Sequence, residues 1–159
     1  MKSFDRILVA IDFSENSNYA FAYALTLAKK FESELVIMHV INEPVDLRGF
    51  YVPHVAFDQL EKEIEEGATK MMEKFGRESL GDFTNYKTTL ATGTPYEEII
   101  KKATEVDASL IVIGTHGRTG LDHIIFGSTA ERVVRGATCP VLTIRLPSEE
   151  QAVPASSIG

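Results

Sequence analysis

The sequence predicts a single α/β domain in which one open, five-stranded parallel sheet carries helices on both faces. Three observations lead there. Short, β-branched apolar runs alternate with stretches of helical periodicity in the order β-α-β-α-β-α-β-α-β, and strands joined through helices pair in parallel. The runs at 6–12 and 34–41 are mostly apolar, the mark of strands covered on both faces. At 159 residues the chain suits one domain and is short for two. That domain is expected over 1–146, with 147–159, rich in Pro, Ser and Ala, as a loose tail.

Residues 6–12 (RILVAID) form the first strand. Ser14 can cap a helix running to about Phe31, with Ala20, Tyr23, Ala24, Leu27 and Phe31 on its inner face. Residues 34–41 (ELVIMHVI) form the second strand, and 42–56, holding Pro44, Gly49 and Pro53, reads as an irregular loop. Helical spacing returns over 57–76 with Leu60, Ile64, Ala68, Met71 and Phe75, followed by a strand at 86–91. Thr94, Pro95 and Glu97 occupy the N-cap, N1 and N3 positions of a third helix, with reciprocal side-chain and backbone bonds. Residues 109–113 (SLIVI) make the fourth strand. Ser128 and Glu131 form a second capping box, opening a helix with Ala130, Val133, Val134 and Ala137 inward and Gly136 as its stop. Residues 140–144 (PVLTI) close the sheet, with Pro140 where a missing N–H is tolerated.

Sixteen Lys and Arg against 23 Asp and Glu leave a net charge of -7. This argues against general affinity for nucleic-acid backbones or anionic lipid, while a local basic pocket stays open. The longest stretch without a charged residue, 16–28, is shorter than the roughly 20 residues a membrane-spanning helix needs. Asp5, Arg6 and Asp12 interrupt the first apolar stretch as no secretory signal would. A single cysteine, Cys139, excludes an internal disulfide and fits a reducing compartment. The expectation is a cytoplasmic protein with no nucleic-acid partner and no direct membrane insertion.

Parallel sheets of this kind bind ligands beyond the carboxyl ends of their strands. Two strand ends carry chemistry: Asp12 after the first strand and Gly114 after the fourth. Gly114, Thr115, His116, Gly117, Arg118, Thr119 and Gly120 lead through a loop to Gly127, Ser128 and Thr129 at a helix start. Glycines let a backbone approach an anion and turn successive N–H groups toward one point. The free N–H groups and dipole of the helix start favour negative charge. Arg118 has fork geometry suited to phosphate, and Ser128 and Thr129 add hydroxyls. The plainer readings are tight turns for the glycines, a helix cap for Ser128 and a solvated charge for Arg118. The placement after a buried strand and before a capped helix favours a phosphate cradle. Neither G-x-x-x-x-G-K-[ST] nor G-x-G-x-x-G occurs.

The spacing of Gly114, Gly117, Gly127 and Ser128, G-x2-G-x9-G-[ST], resembles the ATP-binding signature of the universal stress protein family. The opening RILVAIDFS, the Gly93-Thr94-Pro95 turn and the closing CPVLTIR are similar to the family pattern too, so the resemblance covers residues 4–145. It implies a Rossmann-like sheet of the adenine nucleotide alpha hydrolase type, in strand order 3-2-1-4-5. It implies ATP, AMP or ADP in the cleft, with Ala10 and Val40 meeting the adenine, Val40 largely through its backbone. Asp12 would contact the ribose or a phosphate-bound Mg²⁺ or Mn²⁺. The segment from Gly114 to Gly120, with Gly127, Ser128 and Thr129, would hold the phosphates. It also implies a homodimer through the strand containing Val141 to Ile144, an exposed edge suited to such pairing.

Asp12 has an alternative role, capping the helix that follows it. No residue in the motif is an obvious general base, so no catalytic residue is assigned. A stress-response regulator with slow ATP hydrolysis at most is expected. The competing readings are an ATP-hydrolysing or nucleotidyl-transferring enzyme, and a nucleotide-free dimeric interaction protein. His39 reads as a hydrogen-bonded core residue, His116 and His123 as loop histidines, and Cys139 as a small buried hydrophobe.

Overall fold

The computed structural model describes residues 3–42, 54–116 and 126–147, with side chains from 58 onward in the second span. The elements follow the expected order: β1 Arg6–Ala10, α1 Glu15–Phe31, β2 Glu34–Asn42, α2 His54–Ser79, β3 Tyr86–Gly93, α3 Pro95–Glu105, β4 Leu110–Gly114, α4 Ser128–Gly136 and β5 Val141–Ile144. All four strand pairings are parallel, in the order β3-β2-β1-β4-β5. Right-handed crossovers in that order send two helices to each face. One core layer joins Ile7, Val9, Leu35 and Ile37 to α1 and α2; the other joins Leu8, Val36, Ile111 and Ile113 to α3 and α4. Alternate residues of β1 thus enter opposite cores. This is why Ile7–Val9 and Leu35–Met38 are apolar without a break, and β4 is buried along its whole length.

Several boundaries shift. β1 ends at Ala10, not Asp12, because the chain turns there: Phe13 takes φ 64°, a left-handed conformation uncommon for a bulky residue. Its ring is held between His39 and Phe75, with centroids 4.6 and 6.1 Å away. β3 runs on to Gly93, and α2 extends at both ends, starting at His54 inside the stretch expected to be a loop. The rest of that stretch, 43–53, lies outside the described residues, as does the tail from 148.

Helical spacing overstated burial at five positions: Tyr23, Phe31, Ile64, Met71 and Val134 are exposed. Phe31 packs against Phe4 and Tyr23 against Tyr19 at the surface, and Ile64 and Met71 face the cavity described below. Gly136 ends α4 as expected, but packing accounts for it as well: a Cβ there would lie 2.7 Å from Ile100 of α3. At the amino end of the sheet, Arg6 pairs with Glu34 at 2.8 Å and Glu34 with Lys87 at 3.5 Å, tying β1, β2 and β3 together away from the site.

Candidate functional site

β1 and β4 are neighbours, yet the chain leaves β1 toward β2 and leaves β4 toward β5. Adjacent strands whose connections diverge open a crevice at their carboxyl ends. A cavity of about 650 Å³ lies there, within the range of small-molecule sites.

Its floor at β1 is Ala10, Ile11 and Asp12. The turn at Phe13 folds Asp12 back, so that its Oδ1 accepts the Ser14 N–H at 3.0 Å. The Asp12 N–H in turn donates to Ser17 Oγ at 3.1 Å. Ser14 Oγ accepts from the Ser17 N–H at 3.2 Å, capping α1 as expected. Both readings of Asp12 therefore meet in one residue: it bonds the helix start and also lines the cavity.

The wall at β4 is Gly114, Thr115 and His116. Gly114 has a packing reason for lacking a side chain, since a Cβ would sit 3.2 Å from the Asn16 carbonyl oxygen of α1. Thr115 is buried, and its backbone serves two neighbours. Its N–H donates to the Ile144 carbonyl at 3.0 Å, and its C=O accepts the Gly127 N–H at 2.6 Å. The second bond brings the far end of the glycine loop back to the strand end from which the loop departs. Thr115 Oγ1 also lies 3.0 Å from His116 Nδ1.

At α4 the cap differs from the expected box. Gly127 is the N-cap, Ser128 is already helical, and no side chain caps the first turn. Ser128, Thr129 and Ala130 line the cavity at this helix start, where N–H groups have no intrahelical partner and the dipole is positive. Thr94 is the N-cap of α3 with Pro95 at N1, as expected, but its side chain makes no capping bond either.

Val40 and Asn42 border the cavity from β2. The Met38 carbonyl accepts the Ile11 N–H at 2.8 Å, just past the end of β1. Backbone groups of a strand alternate sides, so Val40, two residues on, turns its N–H and C=O to the same side, beyond the end of β1. His39 is the buried core residue expected, bonding the Ile11 carbonyl through Nδ1 at 2.8 Å.

Nine of the expected site residues thus border one cavity: Ala10, Asp12, Val40, Gly114, Thr115, His116, Gly127, Ser128 and Thr129. Gly117, Arg118, Thr119 and Gly120 lie outside the described residues, as does His123. Sequence reasoning missed Ser17, Pro95 and the α2 wall of Ile64, Gly67, Ala68 and Met71. The α2 residues share one helical face at i, i+3, i+4 and i+7, where the sequence gives Ile64, Ala68 and Met71 only as helical spacing. Cys139 is half-buried and its burial pushes the thiol pKa up, in keeping with an inert side chain.

The model of the universal stress protein family matches residues 3–145. Universal stress protein YxiE of Bacillus subtilis is 37% identical over 147 residues, spanning 89% of this chain and 99% of its own length. The solved structure of Methanocaldococcus jannaschii MJ0577 superposes with a TM-score of 0.76 and 30% identity, across 92% of this chain and 99% of that one. The Archaeoglobus fulgidus universal stress protein in complex with dAMP aligns over 91% of this chain and 99% of its own. Its TM-score of 0.54 and 24% identity are a likeness of fold alone. With the family model covering nearly the whole sequence, this chain belongs to the universal stress protein family.

Proposed function

We propose that this protein is an adenine-nucleotide-binding regulator of the stress response, taking ATP with Mg²⁺ or Mn²⁺ and acting as a cytoplasmic homodimer. The observation that carries the reading is that one cavity joins a helix start capped by glycine to Val40, which lies past the last paired residue of β1. The N–H groups at Ser128, Thr129 and Ala130 suit phosphate oxygens. At the other end, the N–H and C=O of Val40 suit the ring-nitrogen acceptor and amino donor of adenine. Ribose falls between them, over Ala10 and Asp12. The dAMP complex of the Archaeoglobus fulgidus protein is a precedent on the same fold.

The donor set fits a cation carried in on the phosphates. Among the described residues no group of three or more His, Cys, Asp or Glu could hold a metal by itself. Magnesium commonly takes one or two carboxylates together with substrate phosphates and water, and Asp12 is the carboxylate here. Bound metal would draw charge from the phosphates; the chain's own part is to orient the nucleotide between Val40 and α4. Asp12, one of whose oxygens bonds the Ser14 N–H, would help to hold that metal, and turnover is slow at most. Occupancy and not hydrolysis is then the signal. β5 is half-buried at the sheet edge, and its unpaired ladder groups suit a second copy of the same strand.

Calorimetric titration of nucleotide-stripped protein with ATP and Mg²⁺ tests the reading, with sedimentation equilibrium on the same sample. Micromolar or tighter binding by a dimer is the expected result. Absence of binding by protein with an intact circular dichroism spectrum would overturn the nucleotide assignment, and a monomer would overturn the β5 assignment.

A further inference from the structure

Between Leu35 and Ile41, β2 carries one polar side chain, His39. The imidazole is buried beside the cavity, where an apolar side chain would pack against Phe13 without giving up hydration. What the imidazole adds is a donor. Its Nδ1 lies 2.8 Å from the Ile11 carbonyl oxygen, and because a carbonyl only accepts, that nitrogen carries the hydrogen.

The bond stands where a rung of the sheet would be. Parallel strands exchange backbone bonds in a fixed alternation. The register Ala10↔Met38 and the 2.8 Å bond from the Ile11 N–H to the Met38 carbonyl define the next two rungs. They would be Val40 N–H to Ile11 C=O, and Phe13 N–H to Val40 C=O. Among the described residues neither bond is made, and pairing of β1 with β2 stops at Ala10. At the first rung, His39 Nδ1 takes the Ile11 carbonyl instead. At the second, the chain turns away at Phe13, which has φ 64°. The Phe13 ring then rests on the same imidazole, with centroids 4.6 Å apart. One side chain thus stands at both places where the ladder would have closed over Val40.

We propose that His39 is a positioning residue for the base: it ends the β1–β2 ladder before Val40 and so keeps the Val40 N–H and C=O for a ligand. This rests on the nucleotide reading above, in which those two groups meet adenine. A buried carbonyl left without a donor is costly. Without the imidazole, the Ile11 oxygen should therefore draw in the Val40 N–H, the donor that the register already assigns to it.

The test combines amide hydrogen exchange by NMR with calorimetric titration of ATP and ITP, both with Mg²⁺, on the wild type, His39→Leu and His39→Asn. In the nucleotide-free wild type the Val40 amide should exchange at least about tenfold faster than that of Met38, which lies in the paired ladder. His39→Leu removes the donor. With its fold verified by circular dichroism, its Val40 amide should exchange about tenfold more slowly and ATP should bind about tenfold more weakly. ITP presents the opposite donor and acceptor pattern at its base edge, so its affinity should change less than about twofold. His39→Asn has a side-chain amide that can donate to the Ile11 carbonyl, and should return both quantities to within about threefold of wild type. A Val40 amide already protected in the free wild type overturns the proposal, whatever the variants do. So does a folded His39→Leu that leaves Val40 exchange unchanged or weakens ATP and ITP equally. A wild type with an unprotected Val40 amide that binds no ATP overturns the nucleotide reading instead, and with it the ligand that His39 serves.

Discussion

The starts of α1 and α4 both border the cavity, each following a central strand, and they are finished in opposite ways. At α1 the local donors are consumed within the chain: Ser14 caps Ser17, Ser17 accepts from Asp12, and Asp12 accepts from Ser14. At α4 a glycine occupies the cap position and, among the described residues, no side-chain capping bond is made. The first arrangement contributes stability and fixes the direction of one carboxylate. The second forgoes a side-chain capping bond, which with glycine at the cap costs only a few tenths of a kcal/mol, and leaves the positive helix end bordering the cavity. The same backbone chemistry is structural on one side of the crevice and available on the other.

Making α4 resemble α1 should have the largest effect. Gly127 has φ -70° and ψ 161°, extended backbone that any residue adopts, so Gly127→Asp places a carboxylate cap where the phosphates should lie. ATP affinity by calorimetry should fall on the order of 100-fold, about 2.7 kcal/mol, with no loss in thermal midpoint. Unchanged affinity would mean that α4 holds no phosphate. Next comes the charge at α1. Asp12→Asn keeps an oxygen to accept the Ser14 N–H while removing the charge. Mg²⁺-ATP binding should weaken about tenfold and lose most of its metal dependence, at constant stability; retained metal dependence would assign the cation elsewhere. Smallest for the ligand is Ser14→Ala, which should cost about 1 kcal/mol in urea unfolding while ATP affinity stays within about twofold. A larger loss of affinity than of stability would erase the distinction between the two ends.

The fold was legible because continuous β-branched runs and helical spacing report two-sided burial directly, residue by residue. That Gly114, Gly127 and Asp12 border one cavity could be read because strand ends and the helix starts that follow them are local in sequence. The cap of α4 was misread because Ser128-x-x-Glu131 satisfies the capping-box pattern; the first helical bond instead runs from the Glu131 N–H to the Gly127 carbonyl, which makes Gly127 the cap and Ser128 the first helical residue. The α2 wall was missed for another reason. Periodicity says that Ile64, Ala68 and Met71 share a face, but not whether that face meets side chains or a void. Only the placement of α2 over the end of β2 decides that.

Thr115 joins parts of the molecule that have separate roles. The backbone of this one residue holds the last residue of β5 with its N–H and the N-cap of α4 with its carbonyl. A shift in the edge strand therefore reaches the anion end of the cavity through a single buried residue. Thermodynamic linkage makes such a connection reciprocal. By whatever factor pairing at β5 tightens nucleotide binding, bound nucleotide tightens the pairing by that same factor. Were β5 to pair with a second copy as proposed, nucleotide supply would register as a change in assembly, with no turnover required.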